Sequence, residues 1–195
     1  MSKNKGLIIG GIVVASLAGV GIGVGGKFIS VNNELIMLEE GIDEQMGKID
    51  SKLQRRNDLI PSVVESVKGT MKQEEKVFTA IADARSKMAG AKTDEEKFEA
   101  SNNLSSAISR LLVVKESYPE LKSNEQVSKL ITELEGTENR ISVERDKYNE
   151  AVKEYNVAIR KFPNSLVANI TGHEKKEYFE ASKGSETAPT VNLVD

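Results

Sequence analysis

Two groups of residues have the types and spacing that acid/base or phosphate chemistry would use: Asp58 beside Arg55 and Arg56, and Glu138 and Glu144 beside Arg140 and Arg145. Nothing in the sequence accompanies them. There is no glycine-rich phosphate loop, no Ser-His-Asp order and no metal-ligand spacing. Arg140 and Glu144 stand four apart, the spacing of an ordinary ion pair along one helix, so both groups read as structural and the chain reads as a non-enzyme. The single His173 follows Gly172 in a loop, with Glu174 beside it. One imidazole and one carboxylate do not close a metal site. The ring therefore reads as solvated, and neither a metal nor another cofactor is expected.

Composition excludes further classes. The 195 residues hold 27 Lys plus Arg against 30 Asp plus Glu, with no Cys, no Trp and 4 Pro. Without cysteine there is no disulfide framework, no thiolate zinc site and no thiol nucleophile. A net charge of -3 lacks the concentrated positive surface that a phosphate backbone needs, so nucleic acid is not an expected partner. With 5% aromatic and 29% charged residues, the chain suits long amphipathic helices better than a β-sandwich.

Those helices must position the polar groups. Val31, Leu35, Leu38, Ile42, Met46, Ile49 and Leu53 step by four and three, the stripe of a helix packed lengthwise on others. Pro61 removes a backbone donor and disfavours helix at Ile60, and Asn57 and Asp58 are cap or turn residues, so a turn or a kink is expected there. A second stripe runs through Val63, Val67, Met71, Phe78 and Ile81 and ends at Gly90. Thr93 to Glu96 reads as a capping box opening a third helix, which buries Phe98, Leu104, Ile108 and Leu111 and stops at Tyr118-Pro119. A fourth begins near Asn124 and continues through Tyr148 and Tyr155 to Phe162. If Asn57 to Pro61 is a turn, the segments have about 26, 29, 24 and 39 residues and close as an up-and-down four-helix bundle. If it is a kink, the first helix is one long rod whose apolar lower half needs a partner chain. A short helix restarts after Pro163 and ends at Thr171-Gly172.

The doublets Tyr148-Asn149 and Tyr155-Asn156 lie seven apart on the fourth helix. Both tyrosines share one face, and the asparagines sit one step round from it. An amide at a seam must find a partner, so the doublets read as register-fixing groups facing the first helices near Arg56 and Asn57. Arg56 or Asn57 is expected in buried polar contact near Glu138, Glu144 or Asn149.

Nothing between Lys5 and Lys27 is ionisable. Residues 6–26 reach roughly 30 Å at helical rise, the thickness of a bilayer's hydrocarbon core. This stretch reads as a transmembrane helix, following a short basic N-terminus at 1–5, rather than as a cleaved signal peptide, for which the apolar run is long. Gly11, Ala15, Gly19 and Gly23 form a small-residue stripe of the kind that lets two membrane helices approach. Lys3 and Lys5 before the span against Lys27 after it favour the N-terminus inside. A helical domain at 28–180 follows, and residues 181–195 are too polar to fold by themselves. A long last helix running back toward the bilayer would deliver Phe162, Leu166, Ile170, Tyr178 and Phe179 to the membrane interface.

The stretch from Gln54 to Gly69, QRRNDLIPSVVESVKG, resembles the signature of the LemA family of bacterial membrane proteins. So do Tyr118-Pro119-Glu120-Leu121-Lys122-Ser123, the run from Glu138 to Arg145, both Tyr-Asn doublets, Phe162-Pro163 and Tyr178-Phe179-Glu180. One departure is Ser30-Val31-Asn32-Asn33, where the family usually has an aromatic residue and a longer apolar lead. The resemblance implies one N-terminal membrane helix, a four-helix domain, and association with membrane proteases of the HtpX type or with the shaping of membrane. It also implies an N-terminus outside, opposite to the lysine count, so both orientations stand. The expected fold is thus all-α, a membrane helix followed by an up-and-down bundle of long antiparallel helices. The expected function is a scaffold or adaptor binding other membrane proteins at the membrane surface, with a self-assembling structural homo-oligomer as the alternative.

Overall fold

The computed structural model describes the backbone of residues 3–180 and the side chains of residue 23 and residues 25–180. Among them the regular elements are all helical: α1 (Lys3–Lys68), α2 (Glu75–Gly90), α3 (Asp94–Val114), α4 (Pro119–Ser123), α5 (Glu125–Ala158) and α6 (Asn164–Thr171), with one 3-10 turn at Lys115–Ser117. The side chains of Gly11, Ala15 and Gly19, and of most of the 6–26 stretch, lie outside the described residues, as does the 181–195 tail. At Gly23 a Cβ would meet nothing within 4 Å. Among the described residues no helix is long and apolar enough to cross a membrane.

Of the two alternatives at Asn57 to Pro61, the turn is absent, because α1 runs through Pro61 without ending. An internal proline costs about 3 kcal/mol. Here Pro61 is exposed while Leu59, Ile60, Val63 and Val67 are all buried. Ending the helix at Asn57 would forfeit that continuous stripe, each side chain of which is worth about 1.5–3 kcal/mol when fully buried. The chain turns instead at residues 69–74, where the Met71 amide closes onto the Val67 carbonyl at 2.9 Å and Met71 itself is buried. The second expected segment is therefore divided between α1 and α2.

Other boundaries follow local chemistry. Thr93 and Glu96 form a complete capping box at the start of α3: the Glu96 amide donates to Thr93 Oγ1, and the Thr93 amide donates to the Glu96 carboxylate. Pro119 stands in the first turn of α4, where its missing N–H costs nothing. The Val127 amide donates to Asn124 Oδ1 at the start of α5. Gly172 closes α6 in the left-handed region at φ 78°, a conformation a side chain would strain.

The described chain divides into two compact units, residues 3–43 with 151–176, and 44–150 with 177–180. In the second, Ile60, Val63 and Val67 of α1 pack with Ile81 and Ala84 of α2, Leu104, Ile108 and Leu111 of α3, Leu121 of α4, and Val127, Ile131 and Leu134 of α5. In the first, Val31 and Leu35 of α1 pack with Val167 and Ala168 of α6, flanked by Phe28, Ala158 and Ile159. Val31 and Leu35 of the lower stripe are thus covered by this chain's own α6.

Candidate functional site

Arg56 stands on the buried stripe of α1, three residues beyond Leu53, and is 0% exposed. Its Nη1 donates to Glu138 Oε1 at 2.9 Å and to Ser105 Oγ at 2.8 Å, and its Nη2 donates to Ser101 Oγ at 3.1 Å. The Ser105 hydroxyl donates in turn to Glu138 Oε2 at 2.8 Å. Three helices, α1, α3 and α5, are thereby joined through one guanidinium. The sequence singled out Arg56 and Glu138 but missed the serines. Their signal was spacing: Ser101 and Ser105 sit four apart inside the stripe from Phe98 to Ile108, where an unpaired hydroxyl would be costly. Glu138 Oε1 and both serine hydroxyls accept from the arginine, and Glu138 Oε2 accepts from Ser105, so both carboxylate oxygens are engaged within the cluster.

The neighbouring candidates are occupied by surface pairings. Arg55 pairs with Glu133, Asn57 Oδ1 accepts from Arg85 Nε at 3.0 Å, and Asp58 accepts from Gln54 at 2.8 Å. The expected Arg140–Glu144 pair does not form. Glu144 takes Lys147 at 3.2 Å, and Arg140 is exposed with no ion pair among the described residues. Arg145 lies 3.8 Å over the centre of the Phe179 ring and donates to the Glu180 carbonyl. Burial pushes its guanidinium below the usual arginine range.

The asparagines of the two doublets do not face the first helices. Asn149 donates through Nδ2 to the Phe179 carbonyl at 3.0 Å and accepts the Phe179 amide at 2.8 Å. Asn156 makes the same pair with Lys176, at 2.9 Å in both directions. A primary amide matches a peptide unit donor for acceptor, so each asparagine grips main chain after Gly172 rather than a side chain. Tyr148 donates to the Glu177 carbonyl at 3.2 Å.

His173 is not solvated. Gly172 turns the chain so that the His173 amide reaches the Ala168 carbonyl at 3.0 Å, and the ring's Nδ1 stands 3.1 Å from Glu39 Oε2 and 3.5 Å from the Tyr155 hydroxyl. A carboxylate can only accept, so Nδ1 carries the proton. Lys176 Nζ meets the other Glu39 oxygen at 2.6 Å. The Lys176 hydrogen bond, supported by His173, holds Glu39 below the usual carboxylate range, and burial raises Tyr155 above its ordinary value. A lowered folded-state value means that Glu39 contributes stability above its ordinary range and loses it as pH falls toward its folded value. A melt followed from neutral to acid pH should therefore show a falling Tm in the native chain and a flatter profile in Glu39→Gln, starting lower. Among the described residues no group of three or more metal-ligating side chains occurs.

Of the expected interface residues, Phe162, Leu166 and Ile170 are exposed. Phe179 is not: it is buried, stacked on Phe98 with ring centres 3.9 Å apart, and Tyr178 is half-buried beside it in the chain. The asparagine clamp at Asn149 draws that segment inward.

The residues that build the arginine cluster and the Asn149 clamp all fall within residues 45–193, the span matched by the model of the LemA family. The chain belongs to the LemA family. Among curated proteins, this LemA-family chain is 35% identical over 88 residues to Magnetosome protein MamQ 2 and to Magnetosome protein MamQ 1 of Paramagnetospirillum magneticum. It is 34% identical over the same length to Magnetosome protein MamQ of Magnetospirillum gryphiswaldense. Each match covers 45% of this chain and 32% of the relative, so the aligned part spans about a third of those proteins.

Proposed function

We propose that this LemA-family chain is a single-pass membrane protein whose helical domain, a bundle built on α1, α2, α3 and α5, acts as a scaffold or adaptor for other membrane proteins. The observation that carries the non-catalytic reading is the arginine cluster: the polar residues best placed for chemistry are consumed in joining helices. Anchoring is supported by residues 6–26, which hold no ionisable group and continue without interruption into the helix that carries Arg56. The small-residue stripe from Gly11 to Gly23 is a packing face for a second membrane helix, and a membrane protease of the HtpX type is the partner the family resemblance favours. The self-assembling alternative draws on Ile36 and Met37, exposed on α1, and on the magnetosome relatives.

Crosslinking in intact cells, followed by mass measurement of the full chain in detergent, tests this reading. A monomer or dimer linked to a membrane protease supports the adaptor. Discrete large homo-oligomers support self-assembly, and an N-terminus cut near Gly26 in membrane-extracted protein rejects the anchor.

A further inference from the structure

We infer that the turn between α5 and α6 is a second membrane contact, in which Phe162 enters the interface of a bilayer rich in anionic lipid while Lys27, Arg160 and Lys161 meet its headgroups. The inference rests on residues 6–26 lying in the bilayer and adds a site to that reading.

The placement follows from α1. Gly26 ends the uncharged stretch, and Phe28, about 3 Å further along the helix axis, packs in the cluster that includes Ala158 and Ile159 at the end of α5. The far end of α6 is fixed at the other side of this cluster. His173 is held by Glu39, thirteen residues and about 20 Å beyond Gly26. Between these ties Val167 and Ala168 pack on Val31 and Leu35, so α6 runs back along α1 and its beginning points at the Gly26 end. Phe162, five residues before Val167, is therefore brought to about the level of Lys27.

What stands there suits a lipid interface. Phe162 is 81% exposed, which is unfavourable for an aromatic ring in water. Arg160 and Lys161 precede it, and no acid occurs between Glu154 and Glu174. Lys27 is the first charge after the uncharged stretch and the next ionisable residue in α1 is Glu34. These three cations are exposed and make no ion pair among the described residues. An aromatic ring flanked by unpaired long cations is the arrangement that anchors chains at headgroup level, and it favours anionic lipid. Ile170, though 73% exposed, lies near the far end of α6, six residues and about 9 Å along the axis from Asn164, and is left outside the lipid.

The chain has no tryptophan, so single Trp reporters can be read directly in full-length protein reconstituted into vesicles. In phosphatidylglycerol-containing vesicles, Phe162→Trp should emit to the blue of Ile170→Trp and lose intensity with brominated acyl chains, while Ile170→Trp stays water-like. Arg160→Glu with Lys161→Glu should weaken the quenching of the Phe162 reporter, as should vesicles of phosphatidylcholine alone. Val20→Trp reports the anchor independently. Quenching at Val20 with water-like, unquenched emission at Phe162 overturns the second contact and leaves the anchor standing; no quenching at either overturns both. A blue shift at Phe162 that brominated lipid does not quench identifies a protein interface and also overturns it, and circular dichroism confirms that each variant remains helical.

Discussion

Replacing Arg56 by Ala should lower the stability of the full chain by about 3–5 kcal/mol, the scale for removing one partner of a buried ion pair. The size of the effect comes from what is left behind. Glu138 loses a 2.9 Å bond to a guanidinium, and Ser101 and Ser105 lose the donor that satisfied them between helices. Arg56→Lys should fall between the two, since one ammonium can meet Glu138 or the serines but lacks the planar fork that reaches all three. Arg56→Met with Glu138→Leu should recover much of the loss, because replacing both partners by apolar groups removes the stranded charge. Urea titration of the four proteins measures this. Equal losses for the single and double replacements would mean that the guanidinium is held by packing of its stem rather than by its charge.

That pair was readable because a charged residue interrupting a run of Val, Leu and Ile at helical spacing has to be paired once enclosed. The stripe from Val31 to Leu53 and the capping box at Thr93 were readable for the same reason: periodicity and cap chemistry are local. The choice between a turn and a kink at Asn57–Pro61 is not legible locally, because proline and cap residues act on one turn, whereas Ile60, Val63 and Val67 act together across the core and outweigh them. The segment after Gly172 has no periodicity to reveal it. Its only trace was the seven-residue spacing of Asn149 and Asn156, which advances about 10 Å along a helix, the reach of the three residues from Lys176 to Phe179 in extended chain. The sequence around His173 suggests a solvated ring because Glu39 is far away in sequence, and nothing local to the histidine announces such a partner.

Phe179→Ala should cost about 3–5 kcal/mol, the range for emptying a buried aromatic site. Phe179 is 3% exposed, stacked on Phe98 and covered by the Arg145 guanidinium, while Tyr148 meets Phe98 edge-on at 5.5 Å. Removing the ring therefore exposes Phe98 and strips Arg145 of its cation–π partner as well as deleting the ring's own burial. The two Asn149 bonds to the Phe179 main chain survive in principle, but a segment held by hydrogen bonds alone exchanges them readily for water. Asn149→Ala makes the complementary change, keeping the ring and removing the clamp, and should cost less, about 1–3 kcal/mol. Hydrogen exchange separates the two roles. Phe179→Ala should speed exchange at residues 177–180 and at the α3 turn around Phe98, whereas Asn149→Ala should act chiefly on the Phe179 amide it binds. Unchanged exchange around Phe98 in Phe179→Ala would show that the α3 face is closed without the segment, and the segment would then be a passenger rather than part of the core.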